Sequence, residues 1–203
     1  MSETPPDLAI LRELLPGPIE PLWWRLAMEL ATAAASGRHP LHLVVVASLD
    51  ARGGAAARTV VLRGFDEAAR LASFHTDRRS PKLAGLARDP RLTLLWYDEP
   101  SRLQIRIPAE ATIHHADRVA RDAWEAAAAM SRACYASQHA PGEELPRPTP
   151  APSPHDPENG FDNFAVVCCR FRAVELLALD AAGHRRRRIE LAGQTPQGAW
   201  LAP

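Results

Sequence analysis

Apolar positions recur along this chain with two periods. In "PLWWRLAMELATAAASG", Trp23, Leu26, Leu30 and Ala34 repeat at helical spacing, Pro21 suits a first helical position and Gly37 can end the segment. This predicts an amphipathic helix over a sheet, within an N-terminal helical segment of about residues 7–37. The period then falls to two. "LHLVVVASL" (Leu41 to Leu49) and "ARTVVLRGF" (Ala57 to Phe65) are β-branched runs joined by the turn-rich "DARGG", and "LASFHT", "RLTLLWY" and "RLQIRI" repeat the strand signature. Between the first two of these, "SPKLAGLARDP" opens with a capping Ser80 and with Pro81 at a first helical position, which predicts one short helix.

"DRVARDAWEAAAAMSR", Asp117 to Arg132, is alanine-rich and free of Gly and Pro; it predicts an unbroken helix with Val119, Trp124 and Met130 as its buried stripe. The proline-rich stretch at about 141–157 reads as an extended surface loop. "NFAVVCCRF", "AVELLALD" and "IELAG" predict three late strands, with "HRRRR" as a turn before the third and a short "AWLAP" end. Regular strands with few long helices describe a mainly β fold with flanking helices, an antiparallel barrel or sandwich, in one domain over 1–203.

Charge narrows the function classes. Lys+Arg and Asp+Glu are 24 each, so no overall field draws the chain to nucleic acid or an anionic membrane, and basic chemistry has to be local. The opening "MSETPPDLAI" lacks a signal pattern and no apolar run approaches a membrane span, which sets the expectation of a cytoplasmic protein without membrane partners. Cys134, Cys168 and Cys169 form neither a disulfide framework nor a metal-ligand spacing; the adjacent pair on a strand points to opposite faces, and all three read as reduced, mostly packed thiols with no metal.

The chemistry-bearing stretch is "FHTDRRSPK". His75 and Thr76 end a strand, Ser80 caps the next helix, and Lys82 lies in its first turn, where free N–H groups and the helix dipole favour an anion. A lysine there disfavours the helix slightly unless something negative is near, a conflict that a phosphate would resolve; the plain alternative is an N-cap with solvated charges, Arg78 and Arg79 among them. In "ARTVVLRG", alternation places Arg58, Val60 and Leu62 on one face and Thr59, Val61 and Arg63 on the other. Gln104 shares a face with Arg102 and Arg106, either as exposed strand surface or as an amide that meets a heterocycle edge. The His184–Arg188 run would bind nucleic acid or solvate a turn, and without an RNA-binding aromatic motif the turn is favoured. No Gly-rich dinucleotide fingerprint, phosphate-binding GxxxxGK[ST] loop, HExxH or nucleophile elbow is present.

Taken together, "ARTVVLRGF", "LASFHTDRRSPKLAGLARDPRLTLLWY", "RLQIRIPAEA", "NFAVVCCRFRAVELLAL", "HRRRR" and "AWLAP" resemble, in order, the pyridoxamine 5′-phosphate oxidase-like family of FMN-binding split β-barrels. The resemblance implies that Arg58 and Lys82 clamp the FMN phosphate with hydroxyl hydrogen bonds from Thr76 and Ser80, and that Val60, Val61 and Leu62 run along the isoalloxazine. It implies Arg63 near the ring and the substrate, His75 where the family often has an aromatic residue beside the phosphate-binding threonine, and Gln104 reaching the flavin from the neighbouring strand. It further implies a homodimer with FMN between subunits, and places His184 and Arg185 where the vitamin oxidases hold their substrate's phosphate. Arg132, with Ser137 and Gln138, is a candidate for the substrate-binding segment.

The departures mark a divergent branch. Pro81 stands where the vitamin oxidases have a basic residue, Leu177 where they have a tryptophan over the flavin, and Ile189 or Arg188 faces the place of a late FMN-binding arginine. The expectation is therefore an FMN-dependent oxidoreductase in which hydride passes through flavin N5, acting on a small, anionic molecule, with no catalytic side chain of its own. The rivals are a flavin- or haem-binding carrier or sensor without turnover, and a basic-patch interaction protein.

Overall fold

The computed structural model describes residues 8–148, 158–193 and 195–203. Two helices come first, α1 (Ala9–Leu14) and α2 (Ile19–Ala35). α2 begins two residues earlier than expected. Pro18 takes the N-cap position in an extended conformation, and Pro21 falls in the first turn, where no amide N–H is needed. Leu22, Trp23, Leu26, Leu30 and Ala33 form its buried stripe, while Trp24 and Met28 face outward.

Nine strands are seen among the described residues: β1 (Leu43–Leu49), β2 (Ala55–Asp66), β3 (Leu71–Asp77), β4 (Arg91–Asp98), β5 (Leu103–His114), β6 (Phe164–Phe171), β7 (Ala173–Ala178), β8 (Arg185–Glu190) and β9 (Gln197–Leu201). They pair in the order β4-β1-β2-β3-β6-β5-β7-β8-β9, and β4 also pairs with β5. That second pairing closes β1 to β6 into an antiparallel barrel of six strands, so no free edge is left within it. β5 makes the closure possible because it is long. Its start, Leu103–Arg106, pairs with β7, its end, Ala109–His114, pairs with β6, and β4 runs along it from Leu103 to Glu110.

Alternation then sorts the side chains. Val44, Leu62, Phe74, Leu94, Ile105 and Val167 fill the barrel with other apolar neighbours, and the Trp96 indole N–H inside it donates to the Leu41 carbonyl at 2.8 Å. A smaller cluster, Ala120, Trp124, Phe164, Val166 and Cys168, lies on the reverse face of β6 under α4 (Arg118–Ala126). Cys168 and Cys169 thus do point to opposite faces, but Cys134 is exposed rather than packed.

Two sequence expectations need correction here. The helix expected from Asp117 to Arg132 breaks: Ala127 and Ala128 adopt extended ψ, and α5 (Ala129–Ala133) starts afresh. The break lets the chain fold back over Trp124, so that Tyr135 meets Phe164 edge-on and the Arg132 guanidinium lies over the Trp124 ring; Val119 and Met130 are consequently exposed, and Trp124 alone of the three is buried. The "HRRRR" run is not a turn. The turn lies earlier, where the Asp180 side chain accepts from the Ala182 N–H and Gly183 supplies a φ of +131°, and Arg185–Glu190 is a full strand between β7 and β9. Of the proline-rich segment, residues 141–148 are mostly exposed, and 149–157 lie outside the described residues. No helix among the described residues is long and apolar enough to cross a membrane.

Candidate functional site

The end of β3 and the start of α3 (Pro81–Arg88) bring three predicted residues together. Lys82 Nζ donates to Thr76 Oγ1 and to Ser80 Oγ, both at 2.7 Å. Ser80 keeps the extended conformation of an N-cap, yet its hydroxyl makes no capping bond and serves the lysine instead. Arg58 enters from β2, on the barrel-facing side with Val60 and Leu62. Register pairs it with Val46 of β1, and its guanidinium donates to Ser48 Oγ at 2.7 Å and to the Val46 carbonyl at 3.3 Å. Gly85 permits this closeness: a Cβ there would stand 2.3 Å from the Leu49 carbonyl oxygen, so only glycine lets α3 rest on the end of β1.

The electrostatics of the cluster are one-sided. Burial and then the Arg58 charge push the Lys82 ammonium below its ordinary value, opposed by Asp77, and burial lowers Arg58 as well. Asp77 is already engaged, since Arg79 grips its carboxylate through Nε at 3.0 Å and Nη2 at 2.7 Å. Arg79 also donates to the carbonyls of Ser137, Gln138 and His139, so it is a strut rather than the solvated charge expected from the sequence; Arg78 likewise donates to the Asp162 carbonyl. What remains at the barrel rim is two half-buried cations held by hydroxyls and a carbonyl. A phosphate fits that donor set, because it supplies the missing negative charge and acceptor oxygens.

The other predicted residues fall elsewhere. Alternation turns His75 to the face of β3 opposite Thr76, edge-on to the Phe164 ring at 4.8 Å between centroids; burial, then the Arg63 charge, pull its pKa down to about 4, so it is neutral near pH 7. Arg63 is exposed on that side, and Val61 points to the outer face of the barrel. Gln104 is on that outer face too, flanked by Tyr97 of β4 and Leu177 of β7. Arg132 belongs to the Trp124 cluster. The His184 ring nitrogen accepts from the Asp180 N–H and closes the turn. Arg185 and Arg187 share one face of β8, where Arg187 donates to the carbonyls of Leu15 and Gly17 and lies over the Trp200 ring. Arg186 and Arg188 share the face of Gln104. Sequence reading missed Ser48, Asp77 and Glu175 as partners of these arginines; the β1–β2 register was the available signal for Ser48, and none of comparable strength pointed to Glu175.

Comparison with known proteins agrees with the barrel. Residues 21–115 match the family model described as pyridoxamine 5′-phosphate oxidase, FMN-binding domain. The chain is 35% identical over 83 residues to the pyridoxine/pyridoxamine 5′-phosphate oxidase of Anaeromyxobacter dehalogenans (strain 2CP-C), a match that spans 41% of each chain, less than half of that relative's length. Among solved structures, a pyridoxamine 5′-phosphate oxidase-related, FMN binding protein from Nostoc punctiforme PCC 73102 superimposes with a TM-score of 0.72 at 23% identity, over 92% of this chain and 100% of that one. PhzG from Burkholderia lata 383, solved with tetrahydrophenazine-1-carboxylic acid, gives a TM-score of 0.67 at 21% identity, over 92% of this chain and 94% of that one. These two likenesses establish the fold.

Proposed function

We propose, from the match of residues 21–115 to the FMN-binding domain of pyridoxamine 5′-phosphate oxidase, that this chain is a pyridoxamine 5′-phosphate oxidase-like protein and a cytoplasmic, homodimeric FMN-dependent oxidoreductase acting on a small anionic molecule. The observation that carries FMN binding is the Lys82 ammonium, held by the hydroxyls of Thr76 and Ser80 beside the Arg58 guanidinium. Lys82 and Arg58 bind the phosphate, Thr76 and Ser80 fix its orientation, and the β2 backbone at Val60, Val61 and Leu62 lines the ring. Bound FMN supplies hydride exchange at N5, which no side chain of this protein can provide.

Geometry also supports the dimer. Thr76 lies on the barrel-facing side of β3, across β6 from the His114 end of β5, whereas Gln104 lies on the outer side of β5 near the opposite end of that strand. One flavin can meet both only if Gln104 comes from a second copy. The outer face is suited to such a copy: Leu43 and Tyr97 are 58% and 53% exposed on it. Arg63, on the side of β3 that carries His75 and Tyr135, is left to meet the substrate. An absorption spectrum of the purified protein before and after FMN tests the reading. Uptake at micromolar FMN is expected; a protein that stays colourless with added FMN rejects it.

A carrier without turnover is the second reading, favoured by Leu177, an aliphatic residue beside Gln104, and by Arg132 being packed on Trp124 rather than turned to the Lys82 cluster. Anaerobic reduction of bound flavin by NADPH or pyridoxamine phosphate identifies an enzyme; flavin that binds but resists both identifies a carrier, and a spectral response to added haem in place of FMN identifies a haem carrier.

A further inference from the structure

Three carboxylates are buried among the described residues, and each is held by arginine: Glu29 by Arg25, Glu175 by Arg106 and Arg186 with Arg188 at 3.7 Å, and Asp77 by Arg79. Only Asp77 adjoins the phosphate cradle. It follows Thr76 directly in the chain, and its charge partly offsets the effect of burial and of Arg58 on the Lys82 ammonium.

Asp77 is 7% exposed and takes its donors from a single residue. Oδ1 accepts from the Arg79 backbone N–H at 2.8 Å and from Arg79 Nε at 3.0 Å, and Oδ2 accepts from Nη2 at 2.7 Å. The backbone bond closes the turn between β3 and α3, together with the Ser80 N–H, which donates to the Asp77 carbonyl at 3.0 Å. An asparagine would accept the Arg79 N–H equally well, so the turn itself does not need a charge at this position. The charge serves the guanidinium, which it fixes as a two-point fork.

The reverse service matters more for the cradle. Asp77 lines a cavity of about 490 Å³ with Cys134, Tyr135, Ser137, His139 and Glu143, and among the described residues none that lines it is an arginine or a lysine. His139 is already bonded to Glu143 at 2.9 Å. Taking one partner from a buried ion pair leaves the other charge uncompensated. Without Arg79, the Asp77 carboxylate would therefore turn its charge on Lys82, the cation that already feels it, and would compete there with any incoming anion.

We propose that Arg79 is a positioning residue for the cofactor phosphate: by holding the Asp77 carboxylate it keeps that charge off Lys82 and leaves the ammonium free for the ligand. The inference rests on the proposed function for the identity of that phosphate, and adds to it a residue that touches no part of the flavin. The plain alternative is a strut, since Arg79 also donates to the carbonyls of Ser137, Gln138 and His139.

Fluorescence titration of the full chain with FMN and with riboflavin, for the wild type, R79M, D77N and D77N/R79M, separates the two. R79M should weaken FMN by about tenfold or more and leave riboflavin within about twofold. D77N should bind FMN at least as tightly as the wild type, and D77N/R79M should return to within about threefold of it. That rescue is the decisive readout, because a strut lost in R79M is still lost in the double variant. FMN binding as weak in D77N/R79M as in R79M overturns the inference; so does an R79M that binds FMN like the wild type, or a loss shared equally by FMN and riboflavin. Should R79M fail to fold, D77N decides, because asparagine keeps the turn: FMN bound as tightly as by the wild type or more tightly supports the inference, and binding weakened about tenfold overturns it. A wild type that takes up no FMN rejects the flavin reading and the inference with it, whereas FMN uptake with any of the overturning results rejects the inference alone.

Discussion

At the junction of β3 and α3, Lys82 and Arg58 are held by two serine hydroxyls, a threonine hydroxyl and a carbonyl; on β5, β7 and β8, three arginines are held by one carboxylate. Both clusters carry surplus positive charge, but only the second contains its own counter-ion. Burial lowers the ammonium and guanidinium of the first cluster, whereas in the second the arginines lower the acid. The lesson concerns what each cluster lacks. A half-buried cation bonded to neutral groups is poorly compensated until an anion arrives, so ligand charge and site stability are coupled there. An arginine group ordered over a buried carboxylate is already compensated, so its order does not wait for an anion.

The comparison can be broken most sharply at Lys82. Lys82→Ala removes a charge-assisted contact worth about 2–3 kcal/mol, so FMN affinity should fall about a hundredfold by fluorescence titration, while the free protein loses little stability because a poorly compensated cation has gone. A fall of less than threefold would leave the two clusters indistinguishable.

The reverse face of β3 provides an effect of similar size. His75 has a folded pKa of about 4 against 6.5 in the ordinary state. The unfolded chain therefore binds a proton first as pH falls, and stability present above about pH 6.5 is lost progressively down to about pH 4, by about 3 kcal/mol. His75→Phe, which keeps a ring against Phe164 and cannot titrate, should flatten that part of the urea-unfolding profile; an unchanged pH dependence assigns it to other groups. Gly85→Ala comes third. With its Cβ directed at the Leu49 carbonyl oxygen, it should cost about 2 kcal/mol of stability and weaken FMN binding as α3 lifts from β1. Stability and binding both unchanged would mean that α3 is not fixed by this contact. Thr76→Val, which keeps shape and removes one acceptor of Lys82, should weaken FMN by only about fivefold, consistent with one hydrogen bond of about 1 kcal/mol.

Much of the first cluster was legible in the sequence because it is local. Thr76, Ser80 and Lys82 lie within one strand end and one helix turn, and alternation on β2 already put Arg58 on the side of Val60 and Leu62. The second cluster was hidden because its parts come from three strands, and because a run of arginines reads as a solvated turn unless its pairing on both sides is known. The split into Arg186 with Arg188 against Arg185 with Arg187 follows from alternation only once that run is a strand. The helix break at Ala127 and Ala128 had no local signal either, since the residues are good helix formers and the cause is the packing of Tyr135 and Arg132 around Trp124. Arg79 was misjudged for a similar reason: its acceptors are the carbonyls of Ser137, Gln138 and His139, far away in sequence.

The most direct test compares FMN with riboflavin, which differ only in the phosphate, on the wild type and Lys82→Ala. The account predicts that the wild type prefers FMN by at least about a hundredfold and that Lys82→Ala loses most of that preference while binding riboflavin as before. Equal affinity of the wild type for the two flavins would contradict it.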